Sequence, residues 1–169
     1  MAIVLDGSNA NTVGIPNLGT AQASTSGTAI TFTGIPSGVK RITVMFSGVS
    51  TNGSSNYQVQ IGSGSVTSSG YNCGFTYLSS AVTTANATSG FVIANPAGAA
   101  VTFSGQMILA LISGNTWTSS HVMGETDAAR TMIGGGVSPA LSGVLDRVVI
   151  TTVNGIDTFD AGSINIQYE

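Results

Sequence analysis

The chain reads as an all-β protein, a β-sandwich of jelly-roll-like type with an extended N-terminal arm, and three features predict it. Glu, Lys and Arg are scarce while Thr, Ser, Val, Ile and Gly dominate, which suits pleated surfaces and turns rather than helices. Apolar and polar residues alternate with a period of two along most of the sequence. Glycine-rich turn clusters interrupt that alternation at short spacing, giving eight or nine strands, the pattern of a sandwich.

Residues 1–27 have a different texture. Ile3, Val4 and Leu5 form a short apolar head, followed by a polar run of Gly, Asn, Thr and Ser with one apolar island at Ile15 and Pro16. No sustained alternation appears, so the segment is expected to be an extended arm. At roughly 3.3 Å per residue it would reach some tens of ångströms. The sandwich domain then occupies 28–169.

The strands follow in order. Ile30 and Phe32 alternate with Thr31 and Thr33, and a turn cluster runs from Gly34 to Gly38. Ile42, Val44 and Phe46 face one way in the next strand, which Asn52-Gly53 closes. Tyr57, Val59 and Ile61 alternate with Gln58 and Gln60, ahead of a Gly/Ser turn. Further strands are expected at 71–78, 91–94, 100–112 and 144–153, with a weaker one at 117–123. Asn154-Gly155 makes another turn, and Ile164, Ile166 and Tyr168 alternate at the C-terminal end. Residues 27–34 (GTAITFTG) echo 98–105 (GAAVTFSG), as similar strands in two sheets would; two copies do not make a solenoid.

Residues 119–136 break the rhythm. They hold His121, Glu125, Asp127 and Arg130 and end in three glycines, so a long loop is expected there, with a helical turn at 125–130.

Charge narrows the function. Only 7% of residues are charged and the net charge is −3, so four basic residues cannot neutralise a phosphate backbone and nucleic acid is not an expected partner. No apolar run approaches the roughly 18 residues of a membrane span, and residues 1–5 lack the basic and apolar regions of a signal peptide. A single cysteine, Cys73, excludes an internal disulfide and is expected to be buried and structural.

Catalytic chemistry finds little to work with. His121, Glu125 and Asp127 match no metal-ligand spacing, and nothing beside Cys73 would activate it against His121, so no catalytic residue, metal or cofactor is expected. Asp157 and Asp160 read as turn formers. One binding cluster is worth naming. Trp117 sits among Asn115 and several hydroxyl residues, and with His121 and Tyr77 it forms a candidate glycan contact, an apolar face ringed by short-range hydrogen-bonding groups. Otherwise a charge-poor sandwich acts through its faces, which bury against other subunits without desolvating charge.

The residues also carry a resemblance. Segment 30–53 (ITFTGIPSGVKRITVMFSGVSTNG) and segment 146–169 (DRVVITTVNGIDTFDAGSINIQYE) are similar to recurring segments of tailed-bacteriophage tail-fibre and virion proteins, and the opening MAIVLDGS looks like the start of many of them. The resemblance implies a non-enzymatic protein on the outer surface of the virion, commonly a homotrimer. Residues 1–27 contain no shaft, coiled coil or fibrous repeat, so a projecting fibre is not the expectation. The expectation is therefore a capsid decoration (cement) protein that staples neighbouring major capsid protein subunits and contacts the host surface. Its attachment arm would use Ile3, Val4, Leu5, Ile15 and Pro16. The alternative is a tail-fibre or tailspike distal module, attached to tail proteins and binding host-surface glycan.

Overall fold

The computed structural model describes residues 16–78, 82–96, 98–99, 101–126 and 130–169, and these form two antiparallel sheets with no helix among them. The strands are β1 (Asn17–Leu18), β2 (Gln22–Ala23), β3 (Ala29–Thr33), β4 (Arg41–Thr51), β5 (Tyr57–Ser63), β6 (Ser65–Val66) and β7 (Asn72–Leu78). They continue as β8 (Val82–Ala87), β9 (Phe91–Ala94), β10 (Phe103–Ser113), β11 (Thr116–Glu125), β12 (Arg130–Val137), β13 (Arg147–Thr152) and β14 (Phe159–Tyr168). The larger sheet runs β1-β14-β4-β10-β11-β12-β7-β8, with β2 also on β14. The smaller runs β3-β13-β5, with β6 and β9 sharing the far edge of β5.

Alternation decides which side chains enter the core. Ile30 and Phe32 of β3 are buried between exposed Ala29, Thr31 and Thr33. Ile42, Val44 and Phe46 of β4 turn inward likewise, and Met107 and Leu109 of β10 complete that side of the core. Between the sheets, Tyr57 of β5 meets Phe103 of β10 edge to face, ring centroids 5.2 Å apart, and Tyr71 meets Phe91 in the same way at 4.9 Å. Such aromatic pairs add about 0.5–1.5 kcal/mol beyond their burial. The Tyr71 hydroxyl accepts from Ile61 N and donates to Thr67 O, so this buried phenol is satisfied.

The turns expected after β4 and β13 are present and lock to each other. Asn52 N donates to Thr158 O and Thr158 N to Asn52 Oδ1. Gly155 adopts the left-handed region (φ 68), which its lack of a Cβ permits. At Gly53 the requirement is room instead, because the Asp157 carboxylate occupies the space a Cβ would take.

The long loop expected at 119–136 is absent: β11 and β12 are adjacent antiparallel strands, paired from Thr118↔Val137 to Glu125↔Arg130. Glu125 and Arg130 are strand residues, not parts of a helical turn, and Asp127 lies outside the described residues. Period two does persist along β11, but polar residues occupy its inner row, and β12 carries its three glycines inside the sheet. β8 was likewise not expected as a strand.

Of the segment read as an arm, residues 1–15 lie outside the described residues, and with them Ile3, Val4, Leu5 and Ile15. Residues 17–23 lie antiparallel along the edge of β14, with Gly19 N donating to Ile166 O and Ser24 N to Gly162 O. They cover an edge that would otherwise present unpaired backbone groups. Pro16 is exposed and lines a shallow concavity with Arg41 and Tyr168.

Candidate functional site

Two regions of the large sheet stand out, one on each face. The inner row of β11 runs Trp117, Ser119, His121, Met123, Glu125, since alternate residues share a face. Trp117 and Met123 are ordinary core residues. Ser119, His121 and Glu125 are polar groups at positions that elsewhere in the sheet hold Leu, Val or Phe.

His121 is 5% exposed. Its ring lies by Phe75, centroids 6.3 Å apart, and neither ring nitrogen has a hydrogen-bond partner among the described residues. Burial pushes its pKa down from 6.5 to about 4, so the imidazole is neutral near pH 7, with one donor and one acceptor nitrogen. Trp117 Nε1 and Ser119 Oγ also lack partners. Native interiors leave few polar atoms in this state, so the row is a local concentration of unsatisfied groups. Farther along the strand, Glu125 forms an ion pair with Arg130 Nε at 2.9 Å, and the Arg130 guanidinium lies 5.6 Å from the Tyr77 ring centroid.

The glycines of β12 make this row fit. A Cβ on Gly134 would lie 2.6 Å from His121 Cε1 and 2.6 Å from Phe75 Cβ. His121 therefore occupies room that a side chain at 134 would need. A concavity of about 730 Å³ includes His121, Phe75, Gly134, Thr84 and Asn86 in its lining.

The expected glycan cluster is not assembled at the surface. Trp117 is 2% exposed and belongs to the hydrophobic core, and its backbone N–H donates to Ser138 Oγ. His121 is buried, Tyr77 half-buried against Arg130, and Asn115 half-buried with its carbonyl accepting from Leu141 N. Neighbours of Trp117 in sequence project to the opposite side of the strand, so a polar local sequence did not mean a polar environment.

Cys73 is buried, as expected. Its thiol donates to Gly90 O at 3.0 Å and Ala87 O at 3.3 Å, not to an imidazole base. The Asp157 carboxylate accepts from Ser55 N and Asn154 Nδ2, and Asp160 accepts from Ser50 Oγ, so both tie turns and strands together. Among the described residues no three His, Cys, Asp or Glu side chains gather where a metal ion would sit.

The outer face of the same sheet is the second region. One registered row crosses seven strands as Asn165, Met45, Gln106, Val122, Ile133, Thr76 and Thr84. The next row reads Gln167, Thr43, Ile108, Ser120, Gly135, Gly74 and Asn86. Neither contains a charge. The only charged residues in the described parts of β10, β11, β12, β7 and β8 are Glu125 and Arg130, paired with each other. Val122 is 54% exposed, and Ile133, Leu78 and Val82 are also open to solvent. Sequence reasoning missed this face, because only the pairing of β11 with β12 brings its rows together.

No protein-family model, curated protein or solved structure matches this chain.

Proposed function

We propose that this chain is a non-enzymatic structural protein of a tailed-phage virion: a trimeric decoration protein on the outer capsid surface that ties neighbouring major capsid subunits together. One observation carries the reading. The two segments that resemble recurring virion segments lie far apart in sequence, yet they fold against each other in both sheets. β3 pairs with β13 in the small sheet, with Ile30 opposite Ile150. β4 pairs with β14 in the large one, with Val44 opposite Ile166. The resemblance thus coincides with one contiguous, two-layered piece of the fold, as a reused module would.

The connectivity supports a jelly-roll description within this proposal. Setting aside the hairpin β11–β12, β14 and the two-residue strands leaves β4-β10-β7-β8 facing β3-β13-β5-β9. Numbered along the chain, these eight strands read 2-7-4-5 and 1-8-3-6, the wrapped order of two Greek keys. In this description β11–β12 is an insertion that widens one sheet.

The test is attachment. Because 17–24 are bonded along β14, truncation should stop at residue 15. Mixed with purified shells lacking the protein, the full chain should co-sediment, and a folded chain without residues 1–15 should not. Equal co-sedimentation of both would refute the stapling arm. Failure of the full chain to bind shells, with binding to tail proteins instead, would favour the tail-fibre reading.

A further inference from the structure

We infer that Asn52 is a site of spontaneous modification, its side-chain amide lost as ammonia to attack by the Gly53 backbone nitrogen, and that the fold spares the same dipeptide at Asn154-Gly155. The inference does not depend on virion attachment. The sequence holds two Asn-Gly dipeptides, at 52–53 and 154–155, and both asparagines are exposed in turns. Glycine places no Cβ beside the attacking nitrogen, so in an unfolded chain both sites would react alike. The fold makes them unlike.

At Asn154 the groups that the reaction must move are held. Oδ1 accepts from Thr152 Oγ1 at 2.8 Å, Ile156 N at 3.1 Å and Asp157 N at 3.3 Å. Nδ2, the leaving nitrogen, donates to Asp157 Oδ1 at 2.6 Å. The Gly155 nitrogen, the nucleophile, donates to Thr152 O at 3.1 Å. Swinging the amide onto that nitrogen requires the whole cluster to open first. The Asn52 side chain is engaged through Oδ1 alone, by Thr158 N at 2.8 Å. Asn52 Nδ2 and Gly53 N have no partner among the described residues. The amide therefore reaches its attacking nitrogen at the loss of one side-chain bond.

In the reaction the Gly53 nitrogen bonds to Asn52 Cγ and the Cγ–Nδ2 bond breaks. The proton of the Gly53 N–H passes through solvent to the leaving nitrogen, which departs as ammonia. Water then opens the cyclic imide at either carbonyl, restoring an N–H and leaving aspartate or isoaspartate. Both products add a negative charge where the Asp157 carboxylate already crowds Gly53, and isoaspartate also lengthens the main chain within the turn. Older molecules are thus marked by charge and loosened at the joint between the two turns.

Mass spectrometry tests this on the unaltered full chain, aged in mildly alkaline buffer and digested at acidic pH. In the folded protein Asn52 should convert at least tenfold faster than Asn154. In guanidinium chloride the two should convert at similar rates. Equal rates in the folded protein, conversion of neither, or a difference that persists in denaturant would overturn the assignment. The aged acidic fraction, separated by anion exchange, should unfold at a lower urea midpoint than the unmodified fraction. Equal midpoints would overturn the loosening while leaving the modification standing.

Discussion

The His121 ring lies where a side chain on Gly134 would have to go, with Cε1 2.6 Å from that glycine's would-be Cβ. Gly134→Ala should therefore destabilise the fold by about 1–3 kcal/mol, the range for overpacking. His121→Ala would make part of the room. In a double-mutant cycle read by urea denaturation, the alanine at 134 should cost at least about 0.5 kcal/mol less in the His121→Ala background. Additive effects would show that the two positions are uncoupled.

Acidification should act on the same ring. In the unfolded chain His121 takes up a proton near pH 6.5; in the fold burial delays this to about pH 4. Between these values the unfolded state binds more protons, so stability falls as the pH drops from 6.5 toward 4. The loss reaches at most about 3 kcal/mol, and below pH 4 this contribution is flat. His121→Phe should remove that slope in urea midpoints measured at pH 7, 6 and 5. An unchanged slope would place the titration elsewhere.

Trp117 is the only tryptophan and lies in the core. Its emission should be blue-shifted and protected from acrylamide, and it should respond to unfolding rather than to added sugar. Trp117→Ala should cost about 3–5 kcal/mol as a large-to-small core change. A solvent-exposed emission spectrum in the folded chain would contradict this placement.

How far the sequence was legible depended on what filled the inner rows. β3, β4, β5 and β14 were legible because Ile, Val, Phe and Tyr fill most of their core-facing positions, although Gln58 and Gln60 of β5 and Ser50 and Thr51 of β4 are buried as well. β11 alternates just as strictly, but Ser119, His121 and Glu125 face inward, so the pattern reads as only a weak strand at 117–123 that runs into a polar loop. β12 hides for a related reason: Gly134 and Gly136 leave room for the side chains opposite, and glycines in series resemble a turn. In β8 the inward Ala85 and Ala87 are too small to mark a face. The pairing of 17–23 is dictated by the free edge of β14, a partner remote in sequence, and no local signal announces it. The Trp117 cluster misleads for the opposite reason: the hydroxyl residues beside Trp117 point to the other side of the strand, while Trp117 and His121 enter the core.

The edge cover makes its own prediction. Deleting residues 1–15 should leave the protein as soluble as wild type, because 17–24 still bond along β14. Deleting 1–24 strips that edge and should raise aggregation, seen as light scattering on warming. Equal scattering from the two truncations would mean that the cover contributes nothing.

The most direct measurement of what this protein does is its copy number in purified phage particles, by mass spectrometry against the major capsid protein. A decoration protein should be present in hundreds of copies per particle. A few to a few dozen copies would move it to the tail, and absence from the particle would contradict a virion role altogether.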